Sequence, residues 1–225
     1  MTVSDFALQL KQGTKKSHTM AENTAFVSSF LRGVVSQESY RVLIANFYFV
    51  YRAMEEEIYK LKDEYTFPLH DKLLDRTNKL ELDCQYYFGD DWRTIIQPSD
   101  ATQQYVNRIR EVAKDSPYLL VGHHYTRYMG DLSGGQILEG IAKNALNTDG
   151  QGLNFYQFDI DNKKEYKDQY RQTLNELPID IHDANAIIVE ANYAFRLNMY
   201  IFDELKGNEF KSIFKLLCSL VKRNG

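Results

Sequence analysis

The sequence has few of the residues that build disulfide, zinc and linker structures. Its 225 residues include only two cysteines and four prolines. Cys84 and Cys218 lie far apart in apolar surroundings, without the paired spacing of a zinc or redox site, so we interpret both as reduced core thiols in a cytosol-like compartment. Because there is also no Gly/Ser-rich linker, low-complexity tract or repeat, we predict one domain spanning residues 1–225.

Long apolar runs and an excess of positive charge are missing as well. No stretch of 18 apolar residues occurs, and the N-terminus has the amphipathic pattern of a helix rather than that of a signal peptide. We therefore expect a soluble protein without a membrane anchor. The formal net charge of −4 argues against a nucleic-acid-binding protein, which needs a strongly basic surface.

Apolar residues recur at helical spacing along most of the chain, which predicts an all-α protein. The predicted helices include residues 37–62, 68–88 and 183–206, with a separate last helix after Gly207. His70 is predicted to be an exposed polar residue. The acidic run Glu55–Glu57 is interpreted as a solvated face, because the E-x-x-H companion of a di-iron site is missing.

The segment TRYMGDLSGGQ, residues 126–136, stands inside one long predicted helix and carries three glycines. Each interior glycine costs a helix roughly 0.5–1 kcal/mol, so a physical reason is expected. Gly130 and Gly134 share one face, which suits either close helix packing or a planar ligand lying against the backbone. Arg127 and Asp131, one turn apart on an adjoining stripe, can pair beside that face.

Other polar residues recur at helical spacing. Glu22 follows His18 by four residues, an arrangement that can hold one ring nitrogen and leave the other for a metal, although it is also common as a plain hydrogen bond. Lys167 and Arg171 can hold two carboxylates or form a solvated face. His123 and His124 diverge by about 100° on a helix, so at most one can face a ligand and we predict packing roles for both.

Three stretches together carry a family resemblance: KKSHTMAEN around His18, TRYMGDLSGGQ, and YRQTLNELP around Arg171. They resemble the corresponding stretches of haem oxygenases, particularly those of the soluble cyanobacterial and plastid type. The similarity extends over essentially the whole chain. It implies an all-α single domain that holds haem between a proximal and a distal helix.

The resemblance also implies roles for individual residues. His18 would be the proximal iron ligand, with Glu22 bonded to its outer ring nitrogen, and Phe195 is counted among the haem contacts. Gly130 and Gly134 would let the distal backbone approach the iron, while Asp131 would order distal water with Arg127 in the same network. The matching propionate-binding residues are Lys11, Tyr125, Lys167 and Arg171.

The implied reaction opens haem, which is substrate and cofactor together, at the α-meso carbon. O₂ and electrons from reduced ferredoxin would yield biliverdin IXα, CO and Fe²⁺, feeding bilin synthesis and iron release, with a downstream bilin reductase as a further partner. Acidic ferredoxin would dock near Lys15, Lys16 and Arg127, in the cytoplasm or the plastid stroma. The alternatives are a haem-sequestering protein on the same fold and a helical interaction domain without a cofactor.

Overall fold

The computed structural model describes the backbone of residues 3–223 and the side chains of residues 3–205. Within these residues the chain forms helices and no strand, which confirms the all-α prediction. The α-helices are α1 Phe6–Glu22, α2 Ala25–Leu31, α3 Gln37–Leu61, α4 Thr77–Phe88, α5 Trp92–Ile95, α6 Asp100–Asp115, α7 Leu120–His124, α8 Gly130–Leu146, α9 Lys163–Glu176 and α10 Ile181–Arg223. A π-helical turn, Tyr125–Met129, joins α7 to α8.

Helices α3 and α10 form the centre of the fold. Helix α3 packs on α4 and α6, while α10 packs on α1, α6 and α7, and the two also contact each other. The apolar face of α3 is broad, as its sequence predicts, because Tyr40, Ile44, Tyr51 and Met54 are all fully buried. One cluster of buried apolar side chains extends from Phe6 to Leu205, and the single domain over residues 1–225 stays a prediction.

Two predicted helix boundaries are wrong. The predicted break at Gly207 does not occur: α10 is 43 residues long and includes this glycine. A glycine lowers helix stability by about 1 kcal/mol but does not forbid the helical conformation. The predicted helix 68–88 begins only at Thr77 and is preceded by two short 3₁₀ turns, Phe67–Leu69 and Lys72–Leu74. Pro68 suits the first turn of such a segment because its missing N–H needs no partner there.

Two residues predicted to be solvated are buried. Glu55 accepts hydrogen bonds from the Arg76 backbone N–H and from the Tyr128 hydroxyl, at 2.7 Å and 3.1 Å. The His70 side chain is only 1% exposed. Helical periodicity places a residue on a face, but it does not say which loop will cover that face.

Burial of the Cys84 thiol is confirmed, and it is free of any disulfide. The side chain of Cys218 lies outside the described residues. Among the residues that the structure describes, no helix is long and apolar enough to cross a membrane.

Candidate active site

The glycine-bearing segment departs from α-helical geometry one turn before its glycines. Residues Tyr125–Met129 form the π turn, and regular α-helix resumes at Gly130. A π turn widens the helix by one residue per turn and is found mostly at functional sites. The predicted helix therefore does continue on both sides, and the π turn is an irregularity just before its glycines.

Gly130 and Gly134 present bare backbone that no other helix covers. A Cβ built on Gly130 would meet no atom of the described residues within 4 Å. One built on Gly134 would meet only the Leu138 side chain of the same helix, at 3.8 Å. Of the three glycines in the segment, Gly135 alone contacts another segment, with the Tyr156 ring at 3.8 Å. Since 3.8 Å is an ordinary van der Waals distance, close packing among the described residues requires none of the three glycines.

A buried polar network lies beside this bare face. Arg127 pairs with Asp131 at 3.4 Å, as the spacing predicts, and its guanidinium also donates to the Tyr51 hydroxyl at 2.9 Å and to Asn198 Oδ1 at 2.7 Å. The Tyr51 hydroxyl donates in turn to Asp131 Oδ2. The aromatic ring of Phe47 lies under the guanidinium, 4.3 Å from its centroid. These contacts fix the Asp131 carboxyl in one orientation.

Burial sets the protonation behaviour of this network. The Asp131 side chain is 13% exposed, and loss of solvation raises the pKa of its carboxyl even though Arg127 and Tyr51 favour the charged form. The same surroundings raise the pKa of the Tyr51 hydroxyl, mainly through burial. Asp131 therefore holds a proton at higher pH than an ordinary aspartic acid, which suits a group that exchanges protons.

His18 lies at the other candidate position, on α1. Its Nδ1 is 3.5 Å from Glu22 Oε2, as the spacing predicts, and its side chain is 55% exposed. The Phe195 ring of α10 meets the imidazole edge-on, with centroids 5.8 Å apart. Glu22 lies at Nδ1, and no described side chain hydrogen-bonds Nε2, which is thus available as a metal ligand.

Tyr125 brings the π turn, α1 and α9 together. Burial raises the pKa of its phenol, while a polar contact from Thr14 of α1 and the positive charge of Arg171 of α9 act in the opposite direction. Arg171 is exposed and paired with Asp168. Neither Lys11 nor Lys167 forms an ion pair with a carboxylate among the described side chains. This corner therefore offers cationic groups and a phenol from three segments.

Sequence reasoning missed two members of the network, whereas the family resemblance did place Arg127 in the network of Asp131. Tyr51 was assigned to the apolar face of α3, and Asn198 was not singled out at all, since neither stands near a motif. The prediction that Arg127 contacts ferredoxin at the surface is wrong, because its side chain is only 9% exposed and lies within the network. Of the three side chains that bond this guanidinium, Asp131 follows from the local spacing, while Tyr51 and Asn198 are brought to it only by the tertiary structure.

His123 and His124 occupy packing positions, as predicted. Both are fully buried, and they point in different directions. His123 Nε2 bonds Glu190 of α10 at 2.8 Å, whereas His124 Nδ1 bonds the Tyr170 hydroxyl of α9 at 2.7 Å.

An available histidine, a bare glycine backbone beside a buried acid, and a cationic corner define a class of protein: an all-helical ligand-binding protein suited to a planar, anionic, metal-containing ligand. Comparison with known proteins identifies the family. The family model described as heme oxygenase matches residues 4–204.

Individual relatives agree with the family match. The chain is 53% identical to heme oxygenase 1 of Synechocystis sp. over 211 residues, covering 93% of this chain and 88% of that protein. It is 49% identical to heme oxygenase of the red alga Porphyra purpurea, covering 98% of this chain and 95% of that protein. The crystal structure of the Synechocystis heme oxygenase-1 in complex with heme superposes with a TM-score of 0.94 at 51% identity, covering 96% and 99% of the two chains.

The chain belongs to the haem oxygenase family. It is an enzyme, an oxidoreductase of haem degradation for which haem is both substrate and cofactor. Biliverdin production is the known function of this family.

Proposed function

We propose that this enzyme opens haem at the α-meso carbon with O₂ and electrons from reduced ferredoxin, releasing biliverdin IXα, CO and Fe²⁺. The observation that carries the proposal is the bare backbone of Gly130 and Gly134 beside the buried Asp131 network. A protein that only stores haem needs no acid on the distal side. When bound, haem supplies both the iron that activates O₂ and the ring that is opened.

His18 is the residue that would hold the iron. Its Nε2 is available, and Glu22, at 3.5 Å from Nδ1, orients the ring and favours the tautomer with the proton on Nδ1. The edge-on contact with Phe195 of α10 limits rotation of the imidazole. A neutral histidine ligand donates less electron density than a thiolate, so cleavage of the O–O bond is less favoured than in a thiolate-ligated site.

Lys11, Lys167, Arg171 and Tyr125 would hold the two propionates. Lys11 and Lys167 have no carboxylate partner among the described side chains, so a propionate would complete their charge pairing. Arg171 can bind a carboxylate with two parallel N–H donors, and Tyr125 can donate a single hydrogen bond. Fixing both propionates fixes the rotation of the ring in its plane and hence which meso carbon lies nearest the distal backbone.

On the distal side, Gly130 and Gly134 leave space where a side chain would keep a ligand away from the helix. The Asp131 carboxyl accepts hydrogen bonds from Tyr51 and Arg127, which orient it, and burial raises its pKa. This carboxyl is placed to order distal water and deliver the protons that ring opening consumes. Arg127 keeps Asp131 in position from inside the network.

Electrons would arrive over the surface of α1. Lys15 and Lys16 are exposed there, within one turn of His18, and they offer positive charge to an acidic ferredoxin. Arg127 is buried and therefore does not belong to this docking surface. A bilin reductase as the consumer of the product, and the cytoplasm or plastid stroma as the compartment, remain part of the proposal.

The test is aerobic turnover of the purified protein with haem, ferredoxin, its reductase and NADPH in the presence of catalase. We expect the Soret band to decay while biliverdin IXα and CO appear in equal amounts. Catalase removes free peroxide, so decay that persists reflects enzymatic opening. If haem binds and is reduced but the ring survives with several electron donors, the sequestering alternative replaces the proposal.

The His18→Ala variant tests the ligand separately. We expect loss of the normal axial ligation, read from the absorption spectrum of the haem complex. A spectrum identical to that of the wild type would remove His18 from the site. Failure of the wild-type protein to take up haem at all would favour the interaction-domain alternative.

A further inference from the structure

Four side chains outside the proposed haem contacts form a hydrogen-bonded row, which we call the histidine chain: Asp75, His70, His124 and Tyr170. The Asp75 side chain is 22% exposed, and the other three side chains are buried. Asp75 Oδ1 is 2.8 Å from His70 Nε2, and His70 Nδ1 is 3.1 Å from His124 Nε2. His124 Nδ1 is 2.7 Å from the Tyr170 hydroxyl. Each imidazole uses both ring nitrogens, so each ring has one orientation that satisfies it.

The donors and acceptors of the histidine chain can be assigned in sequence. An ionised Asp75 only accepts, so His70 must donate from Nε2, and a neutral His70 then accepts at Nδ1. His124 therefore donates from Nε2 and accepts at Nδ1, where the Tyr170 hydroxyl donates. Burial and the neighbouring His70 lower the pKa of His124, which keeps it neutral as this arrangement requires. The Tyr59 hydroxyl also donates to Asp75, at 3.0 Å to Oδ2.

The histidine chain ends at the helix that carries two of the proposed propionate cations. Tyr170 directly precedes Arg171 on α9 and lies three residues after Lys167. Its ring stacks on that of His124 with an interplanar angle of 12°. Burial raises the pKa of Tyr170, and the nearby phenols of Tyr125 and Tyr166 add to the shift.

We propose that His124 is a positioning residue for haem, which fixes α9 and its cations against the π turn through the hydroxyl of Tyr170. Asp75 and His70 orient His124 by fixing its tautomer. The proposal rests on the proposed function to the extent that Lys167 and Arg171 hold the propionates. His124 itself touches neither the ligand nor the reacting atoms.

The first test needs no haem, and it reads the tautomers in the wild-type protein, so that substitutions serve only to assign the signals. The wild-type apo-protein is labelled with ¹⁵N-histidine, and the ring nitrogens of His70 and His124 are observed by long-range ¹H–¹⁵N correlation. Loss of signals in His124→Phe and His70→Phe assigns them. We expect both rings to carry their proton on Nε2. A proton on Nδ1 of His124 would reverse the direction of the histidine chain and overturn the proposal.

The second test is a double-mutant cycle on haem affinity with His124→Phe, Tyr170→Phe and the double variant. Because both single changes delete the same hydrogen bond, each is expected to weaken haem binding by about 3- to 10-fold, and the double variant no further than either alone. Independent effects that multiply in the double variant, or affinities equal to that of the wild type, would overturn the proposal.

His123→Phe is the matched control. His123 is equally buried, but only its Nε2 is hydrogen-bonded, to Glu190 of α10, and its Nδ1 has no hydrogen-bond partner among the described residues. We expect it to lower stability while leaving haem affinity unchanged; a loss of affinity equal to that of His124→Phe would show a general packing effect. If the wild type binds haem without opening it, the proposed function fails, whereas the tautomers and the affinity cycle still decide the role of His124.

Discussion

Two glycines eight residues apart in the same helical segment have opposite surroundings. Gly122 of α7 lies against α10, where a Cβ would stand 2.8 Å from Ala191 N and 3.0 Å from Ile187 O. Gly130 at the start of α8 has no such neighbour. The first glycine lets two helices approach, and the second leaves a stretch of backbone uncovered. The segment is thus divided at the π turn into a packed half and an open half.

The carboxyl groups in or against the two halves differ as well. In the packed half, His123 and Arg108 both bond Glu190, and together they lower the pKa of its carboxyl to about 2. In the open half, burial outweighs Arg127 and raises the pKa of Asp131. A carboxylate held permanently ionised stabilises the fold, while one with a raised pKa can exchange a proton. The two carboxyls thus differ in role: Glu190 stabilises the packing of the first half against α10, and Asp131 of the second half can exchange a proton.

The largest effect is expected from Asp131→Asn in the open half. The amide keeps the size of the side chain but cannot exchange a proton, so we expect ring opening to slow by about 100-fold or more. Haem affinity should stay close to that of the wild type. The measurement is single-turnover decay of the haem complex with reduced ferredoxin, and ring opening at the wild-type rate would contradict the role of Asp131.

In the packed half, Glu190→Gln is expected to lower the free energy of unfolding by about 3 kcal/mol at neutral pH. The pKa is lower in the folded protein, about 2, than the ordinary 4.5. The stabilisation is therefore complete above 4.5 and is lost as the pH falls towards 2. Urea unfolding of both proteins between pH 7 and pH 3 measures it. A difference between them that does not shrink on acidification would refute the electrostatic explanation.

Gly122→Ala tests the packed half sterically. The added methyl group meets backbone atoms of α10, which can yield only if the helices separate, so we expect a loss of about 2 kcal/mol in stability. Thermal unfolding of the apo-protein measures it. Unchanged stability would mean that α7 and α10 are not held at the distance described.

Gly130→Ala in the open half should give the smallest effect on stability, and one of opposite sign. Since the new Cβ meets no described atom, the apo-protein should gain about 0.5–1 kcal/mol from the better helix propensity of alanine. Haem binding should weaken, because the methyl group would occupy the space that the proposal assigns to the ligand. A variant that is more stable and binds haem as before would remove Gly130 from the site.

The family motifs could be identified from the sequence because their residues are close together in the chain. His18 with Glu22, and Arg127 with Asp131, pair as the spacing predicts, since one helical turn fixes their proximity. The helical class followed from periodicity for the same local reason. The continuity of α10 through Gly207 did not, because one glycine lowers helix stability by only about 1 kcal/mol and need not end a helix.

Only the tertiary structure decided which groups surround those motifs. Tyr51 and Asn198 reach Arg127 from helices more than 70 residues away in the chain. The His70 side chain is buried in contact with Asp75, His124 and Tyr128, and the periodicity of its own segment does not predict that cover. The π turn left no trace in the hydrophobic pattern, since five residues are too few to distinguish its period from that of an α-helix. The sequence thus determined the class, the family motifs and their local pairs, whereas long-range packing determined burial, and with it the pKa of Asp131 and the separation of the packed half from the open one.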